Sequence, residues 1–235
     1  MRVRLVIVLV ALGIGGTASP ALAQINVGEF SITGRATAIT DYRYRGITQS
    51  DGDPALQATA TVSHDSGLYA GFWTSTLTDI SPSGELDLEY YAGFAREIAS
   101  GTDVDVGLLY TTYPDAPAGS DVDYVELYGS LSHTLGPVTA KAGAFYAPEQ
   151  DSLGGDDNIY VYGDLTAGIP TTPLSVIGHL GYSSGGLAPG GDYVDWSLGV
   201  EMDRGPFRVG LAYVDSDLDL PNADGTLVAS LSIGF

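Results

Sequence analysis

The 235-residue sequence contains no cysteine, two methionines, two tryptophans and three histidines, and it carries only nine basic residues against 29 acidic ones. Without thiols, disulfides, thiolate metal sites and cysteine nucleophiles are all excluded. The fold must then rest on a packed core or on a closed hydrogen-bond network. With a formal net charge of −20, the surface repels nucleic acid and anionic head groups, and cationic or neutral partners are favoured. Long apolar runs are scarce too. The apolar run at 5–16 is short for a membrane-spanning helix, and nothing after Gln24 approaches the ~18 unbroken apolar residues such a helix needs. No phosphate-cradling glycine loop, dinucleotide fingerprint or EF-hand spacing is present, and no cofactor is indicated.

What is present begins with a targeting pattern. Arg2 and Arg4 precede the apolar run, and Ala21, Leu22 and Ala23 offer small residues two apart before Gln24, the layout of a cleavable secretory signal over 1–23. Removing it takes two of the nine basic residues and leaves a balance of −22 over 24–235, which is read as a single domain.

That domain is dominated by alternation of period two. In the closing stretch 226–235, Leu227, Ala229, Leu231, Ile233 and Phe235 alternate with small, mostly polar residues, so one face is apolar and the other is not. It resembles the closing strand of bacterial outer-membrane barrels. The same rule holds upstream, for example in Leu56, Ala58, Ala60 and Val62 against Gln57, Thr59, Thr61 and Ser63, and in Val194, Trp196, Leu198, Val200 and Met202 against Asp195, Ser197 and Glu201. The run from Leu68 to Thr76 distinguishes its faces poorly, with Leu68 and Phe72 opposing Tyr69 and Trp73, and Ile39 breaks the pattern of the first run.

Twelve such segments can be counted, joined by alternating short and long connections. Short ones lie near Ser66, Ser100, Gly136, Thr171 and Gly205, and long ones near Asp51, Pro82, Ala118, Gly154, Gly186 and Pro221. An even-stranded meander with this alternation puts all short turns at one end and all long loops at the other. The expected fold is therefore all-β: a transmembrane antiparallel up-and-down barrel of about 12 strands, with short periplasmic turns and longer outer loops.

The two registers then acquire roles. On the apolar register, Tyr42, Tyr110, Tyr146, Tyr182 and Tyr213 sit towards the long loops, and Phe30, Phe94, Phe207 and Phe235 towards the short turns, as in two aromatic girdles. The other register carries the charge and supplies the pore-lining candidates. On the first strand these are Arg35, Asp41, Arg43 and Arg45. The acidic candidates elsewhere are Asp87, Glu89, Asp103, Asp105, Glu126, Asp164, Asp195 and Glu201, and the basic ones Lys141 and Arg208. Arg96 is the main charge on the lipid register. Two readings of the inner charges stay open: a transverse field from Arg35, Arg43 and Arg45 across a cation-favouring lumen, or charges that simply pair to fill a closed interior.

Residues 40–57, TDYRYRGITQSDGDPALQ, followed by 64–71, HDSGLYAG, resemble the signature of the TorF porin family, and the likeness extends over nearly the whole mature chain. The resemblance implies an outer-membrane barrel with a transport role, and supplies neither a solute nor any functional residue. Within the motif, residues 46–54 have the turn formers of a tight, ordered loop, which Arg43 and Arg45 could anchor to acidic wall residues.

The leading expectation is a bacterial outer-membrane porin passing small hydrophilic solutes, with outer-membrane lipid and, through the closing strand, the assembly machinery as its further partners. A non-conducting structural or surface-binding barrel is the alternative. An outer-membrane hydrolase would have to use His133 or His179, with His64 the remaining histidine, yet no spacing singles out a serine partner. The acidic runs 151–157 and 215–219 offer hard oxygens for loose calcium binding, although solvated loops explain them equally.

Overall fold

The computed structural model describes residues 24–78 and 83–234. The signal segment 1–23 and Phe235 of the expected girdle lie outside the described residues. Twelve long strands form the architecture: β1 (Phe30–Ile39), β2 (Ala55–His64), β3 (Leu68–Thr76), β4 (Leu86–Ala99), β5 (Thr102–Thr112), β6 (Tyr124–Leu135), β7 (Val138–Ala147), β8 (Asn158–Gly168), β9 (Leu174–Gly185), β10 (Tyr193–Arg204), β11 (Phe207–Ser216) and β12 (Thr226–Gly234). Every neighbour in this order pairs antiparallel, and β12 returns to β1 with Ser230 opposite Ile39 and Gly234 opposite Arg35. Closure leaves no sheet edge, the condition for strands in lipid, where unpaired backbone groups cost several kcal/mol each.

The expected alternation of connections holds. Residues 65–67, 100–101, 136–137, 169–173 and 205–206 make the short turns, while 40–54, 113–123, 148–157, 186–192 and 217–225 make long loops, and the long connection expected near Pro82 lies partly outside the described residues. A short strand, Ile25–Val27, extends the short-turn end by pairing with the start of β1. Among the described residues no helix is long and apolar enough to cross a membrane.

Side chains sort as the period predicts. Leu56, Leu108, Leu131, Leu165, Leu198, Leu211 and Leu231 are all exposed on the outer face, forming the apolar belt that a bilayer covers. The poorly sorted β3 is explained by its inner side chains: Leu68 and Phe72 point out, and Tyr69 and Trp73 are buried inside. Ile39 is likewise buried on the inner face, an apolar residue in the lumen rather than a break in the strand.

Candidate functional site

Beyond Ile39 the chain leaves the wall. Residues 43–44 and 47–48 pair as a small hairpin with Tyr44 opposite Ile47, and its two-residue tip has positive φ at both Arg45 (48°) and Gly46 (85°). This is the type I′ geometry, whose twist suits a tight hairpin and which disfavours a side chain at either tip position. The loop is organised about Asp41, whose carboxylate accepts from Arg43 Nε at 2.6 Å, from Thr48 Oγ1 and from Ser50 Oγ at 3.3 Å. Arg43 Nη1 also donates to the Gly46 carbonyl at 2.9 Å. Asp41, Arg43 and Arg45, expected on the first strand, thus belong to the loop instead. The strand stops at Ile39 because the chain turns inwards, and Arg43 staples the hairpin to itself instead of reaching the wall.

Arg45 makes the wall contact. Its Nη2 donates to Glu126 Oε1 on β6 at 2.8 Å, and its guanidinium carbon lies 4.3 Å from the ring centre of Tyr160 on β8, 5.6 Å from that of Phe145 on β7 and 4.7 Å from that of Tyr44. On the other side of the tip, a Cβ at Gly46 would meet Asp195 of β10 at 3.0 Å and Ser216 of β11 at 3.1 Å. The hairpin therefore starts at β1 and crosses the lumen near the long-loop mouth. Above it, Thr48 N donates to the Asn222 carbonyl at 2.9 Å, Thr78 Oγ1 donates to the Ser50 carbonyl at 2.7 Å, and Ile47 packs with Ala188, Tyr193 and Ala223.

The wall beside Arg45 is acidic. Asp87 and Glu89 of β4 are buried along with Glu126, and Glu89 is close enough to Asp87, Glu126 and Arg45 to interact with all three charges. Asp87 accepts from Tyr42 Oη at 3.1 Å. Tyr42 was expected in the outer girdle, yet it is almost wholly buried against Trp73, with ring centres 5.3 Å apart. The inward turn after Ile39 carries it inside.

Deeper in the barrel the other candidates fall into local groups. Asp105 accepts from Tyr69 Oη at 2.6 Å. His179 stands between Asp164, at 2.6 Å from Nδ1, and Asp195, at 3.1 Å from Nε2, with Tyr160 Oη 2.7 Å from Nε2. Lys141 Nζ lies 5.6 Å from the centre of the Tyr162 ring. Towards the short-turn end Arg208 reaches Asp203 at 2.7 Å and Glu201 at 3.3 Å, and Arg35 shares their field. Asp103 is half-buried on the same face. Arg43, Arg45 and Arg208 are thus each paired with a carboxylate, so Arg43 and Arg45 do not stand across open lumen from the acidic wall as a transverse field from them would require.

Sequence reasoning missed the role of the inner tyrosines. Tyr69 is the register partner of Gly93, Tyr91 of Gly71, Tyr128 of Gly107 and Tyr162 of Gly143. Each ring lies over its glycine: a Cβ at Gly143 would meet Tyr162 Oη at 2.6 Å. Tyrosine and glycine are abundant partly because they interlock across neighbouring strands, an aromatic cover for a position that has no side chain.

At the outer rim, Tyr110 donates to Asp123 at 2.7 Å, Tyr182 to Asp192 at 2.7 Å and Tyr213 to Asp215 at 2.9 Å. Phe30, Tyr146 and Phe207 are exposed on the outer face and Phe94 is half-exposed. Asp123 fastens its loop. Burial opposes its charge, but donors from Tyr110 Oη, Thr112 Oγ1 and Tyr113 N outweigh that and hold the carboxyl below the usual carboxylate range. His133 contacts Thr102 at 2.8 Å, and His64 contacts Ser66 at 2.8 Å and Glu29 at 3.2 Å, both near the short turns. The acidic run 151–157 contains a 3-10 turn, Asp151–Leu153, and no metal-holding group of three donors occurs among the described residues.

A closed 12-strand barrel with an apolar outer belt, a polar inner face and a loop folded into its mouth defines a transmembrane β-barrel of the outer-membrane porin type. The chain belongs to the Gcw_chp family, described as bacterial protein of unknown function, whose model matches residues 23–229. No curated protein matches the sequence. Among solved structures, the NanC porin is similar over 86% of this chain and 97% of its own, with a TM-score of 0.55 and 14% identity. The KdgM porin, solved in complex with disordered oligogalacturonate, is similar over 86% and 95%, with a TM-score of 0.55 and 7% identity. At these identities the likeness is one of fold.

Proposed function

We propose that this protein is a passive porin of the bacterial outer membrane for small hydrophilic solutes, with the hairpin around Arg45 forming its constriction. The observation that carries this reading is a polar lumen crossed, near the long-loop mouth, by a loop whose tip is pinned to the opposite wall by Arg45 and Glu126. The fold shared with porins and the resemblance of 40–57 to the TorF signature support it. Cation preference rests on the acidic excess of the inner face, which carries Asp87, Glu89, Asp105, Glu126 and Asp195, since a wall of one sign favours the opposite ion.

A non-conducting barrel is the second reading, and a specific observation favours it. The Arg45 latch, Tyr42 and the inner tyrosines fill much of a narrow interior with buried side chains, and small barrels can be closed by their own contents. Planar-bilayer recording under a salt gradient separates the two. The porin reading expects steady conductance with a reversal potential of cation sign. A reversal potential of anion sign removes the selectivity claim, and folded protein that carries no current favours the second reading.

A further inference from the structure

The environment of the Arg45 guanidinium has the composition of a ligand site. One face lies against the Tyr160 ring at 4.3 Å and another aromatic ring, Phe145, is 5.6 Å away, while a fully buried carboxylate, Glu126, takes a charge-assisted hydrogen bond. Aromatic faces with a carboxylate at the end are what a planar organic cation requires. The site is also braced from behind, because Tyr160 Oη is fixed by His179 and Asp195. Moreover, the site holds more carboxyl groups than the one guanidinium engages. Glu89 is buried beside Glu126 with its Oε2 making no hydrogen bond among the described residues, and Asp87 Oδ1 is in the same condition. Arg45 itself leaves Nε and Nη1 without an acceptor among the described residues, so hairpin geometry, not optimal recognition, sets its pose.

We propose that this pocket is a recognition site for small guanidinium-type organic cations bearing a second positive group, held in the resting protein by the chain's own Arg45. An entering cation places its guanidinium between Tyr160, Phe145 and Glu126 and its second charge against Glu89 and Asp87. In doing so it displaces Arg45 and frees the hairpin from the wall. The consequence for permeation rests on the porin reading, whereas binding at the pocket does not.

Agmatine is the probe, and urea, planar but neutral, is the control. Titration calorimetry is run on folded protein in detergent, with folding of each variant verified by heat-modifiable migration. Arg45→Gln is expected to bind one agmatine at least ten-fold more tightly than the wild type, because the internal competitor is gone. Arg45→Gln/Glu126→Gln is expected to lose that gain, and urea to give no saturable heat. Equal agmatine affinity with and without Glu126, or no saturable binding to Arg45→Gln, overturns the proposal. If Arg45→Gln does not fold, the wild type alone decides: agmatine and not urea must speed proteolysis within the hairpin, and an unchanged rate overturns the proposal. In bilayers the wild-type current should rise saturably with agmatine. Binding without current in any variant would retain the pocket and reject the porin.

Discussion

Arg45 Nη2 and Glu126 Oε1 lie 2.8 Å apart, with side-chain exposures of 2% and 0%. This contact joins a loop tip to the far wall of the barrel, and both charges have given up water to make it. Removing one partner strands the other, at a cost of about 3–5 kcal/mol, whereas exchanging both for apolar groups of similar size costs much less. Glu126→Gln and Arg45→Met are each expected to lower unfolding stability in lipid vesicles markedly, and the double variant Arg45→Met/Glu126→Leu clearly less than their sum. Strictly additive losses would mean that the two side chains do not act as a pair.

The tyrosine and glycine interlock predicts a position-specific effect of a single methyl group. A Cβ at Gly143 collides with the Tyr162 ring, while one at Gly129 has its nearest neighbour at 3.7 Å. Gly143→Ala should cost about 1–3 kcal/mol through overpacking, and Gly129→Ala should lie within about 0.5 kcal/mol of the wild type. Chemical unfolding of the two variants side by side makes the comparison, and similar losses at both positions would count against interlocking.

Much of this was legible in the sequence because strand period and loop length are local properties. Alternation of Leu227, Leu231 and Ile233 with Val228, Ser230 and Ser232 reports two media directly, and the alternating connections report an even meander. Register is not local. Nothing in the one-dimensional pattern says that Tyr162 faces Gly143, so the tyrosines of the polar register could not be assigned their role. Tyr42 was misplaced for a related reason: period two continues formally past Ile39, and only tertiary contacts to Asp87 and Trp73 reveal that the chain has left the wall. The turn signal at Arg45 and Gly46 was readable, whereas the partner of Arg45, 81 residues further on, was one carboxylate among many.

Asp123 supplies a pH dependence at the outer rim. Its carboxyl is held below the ordinary range in the folded protein, so its contribution is complete above the unfolded value of about pH 4 and is lost as pH falls through the lower folded value. Acidification below about pH 4 should therefore release the loop 113–123. Proteolytic cutting within that loop is expected to accelerate on acidification in the wild type, and Asp123→Asn is expected to be cut quickly at neutral pH with little further change. A wild-type loop equally resistant at both pH values would show that Asp123 does not fasten it.

The two faces of β12 give the most direct test of the bilayer itself. Leu231 is half-exposed on the outer face opposite Val209, whereas Ser230 turns inwards opposite Gly210. An arginine in contact with lipid at the midplane costs about 2–4 kcal/mol, and one in a wetted lumen far less. Leu231→Arg should impair insertion into vesicles strongly and Ser230→Arg only mildly, although the substitutions are adjacent in sequence and identical in the charge they add. Better insertion of Leu231→Arg than of Ser230→Arg would mean that the leucine belt does not face hydrocarbon at this depth.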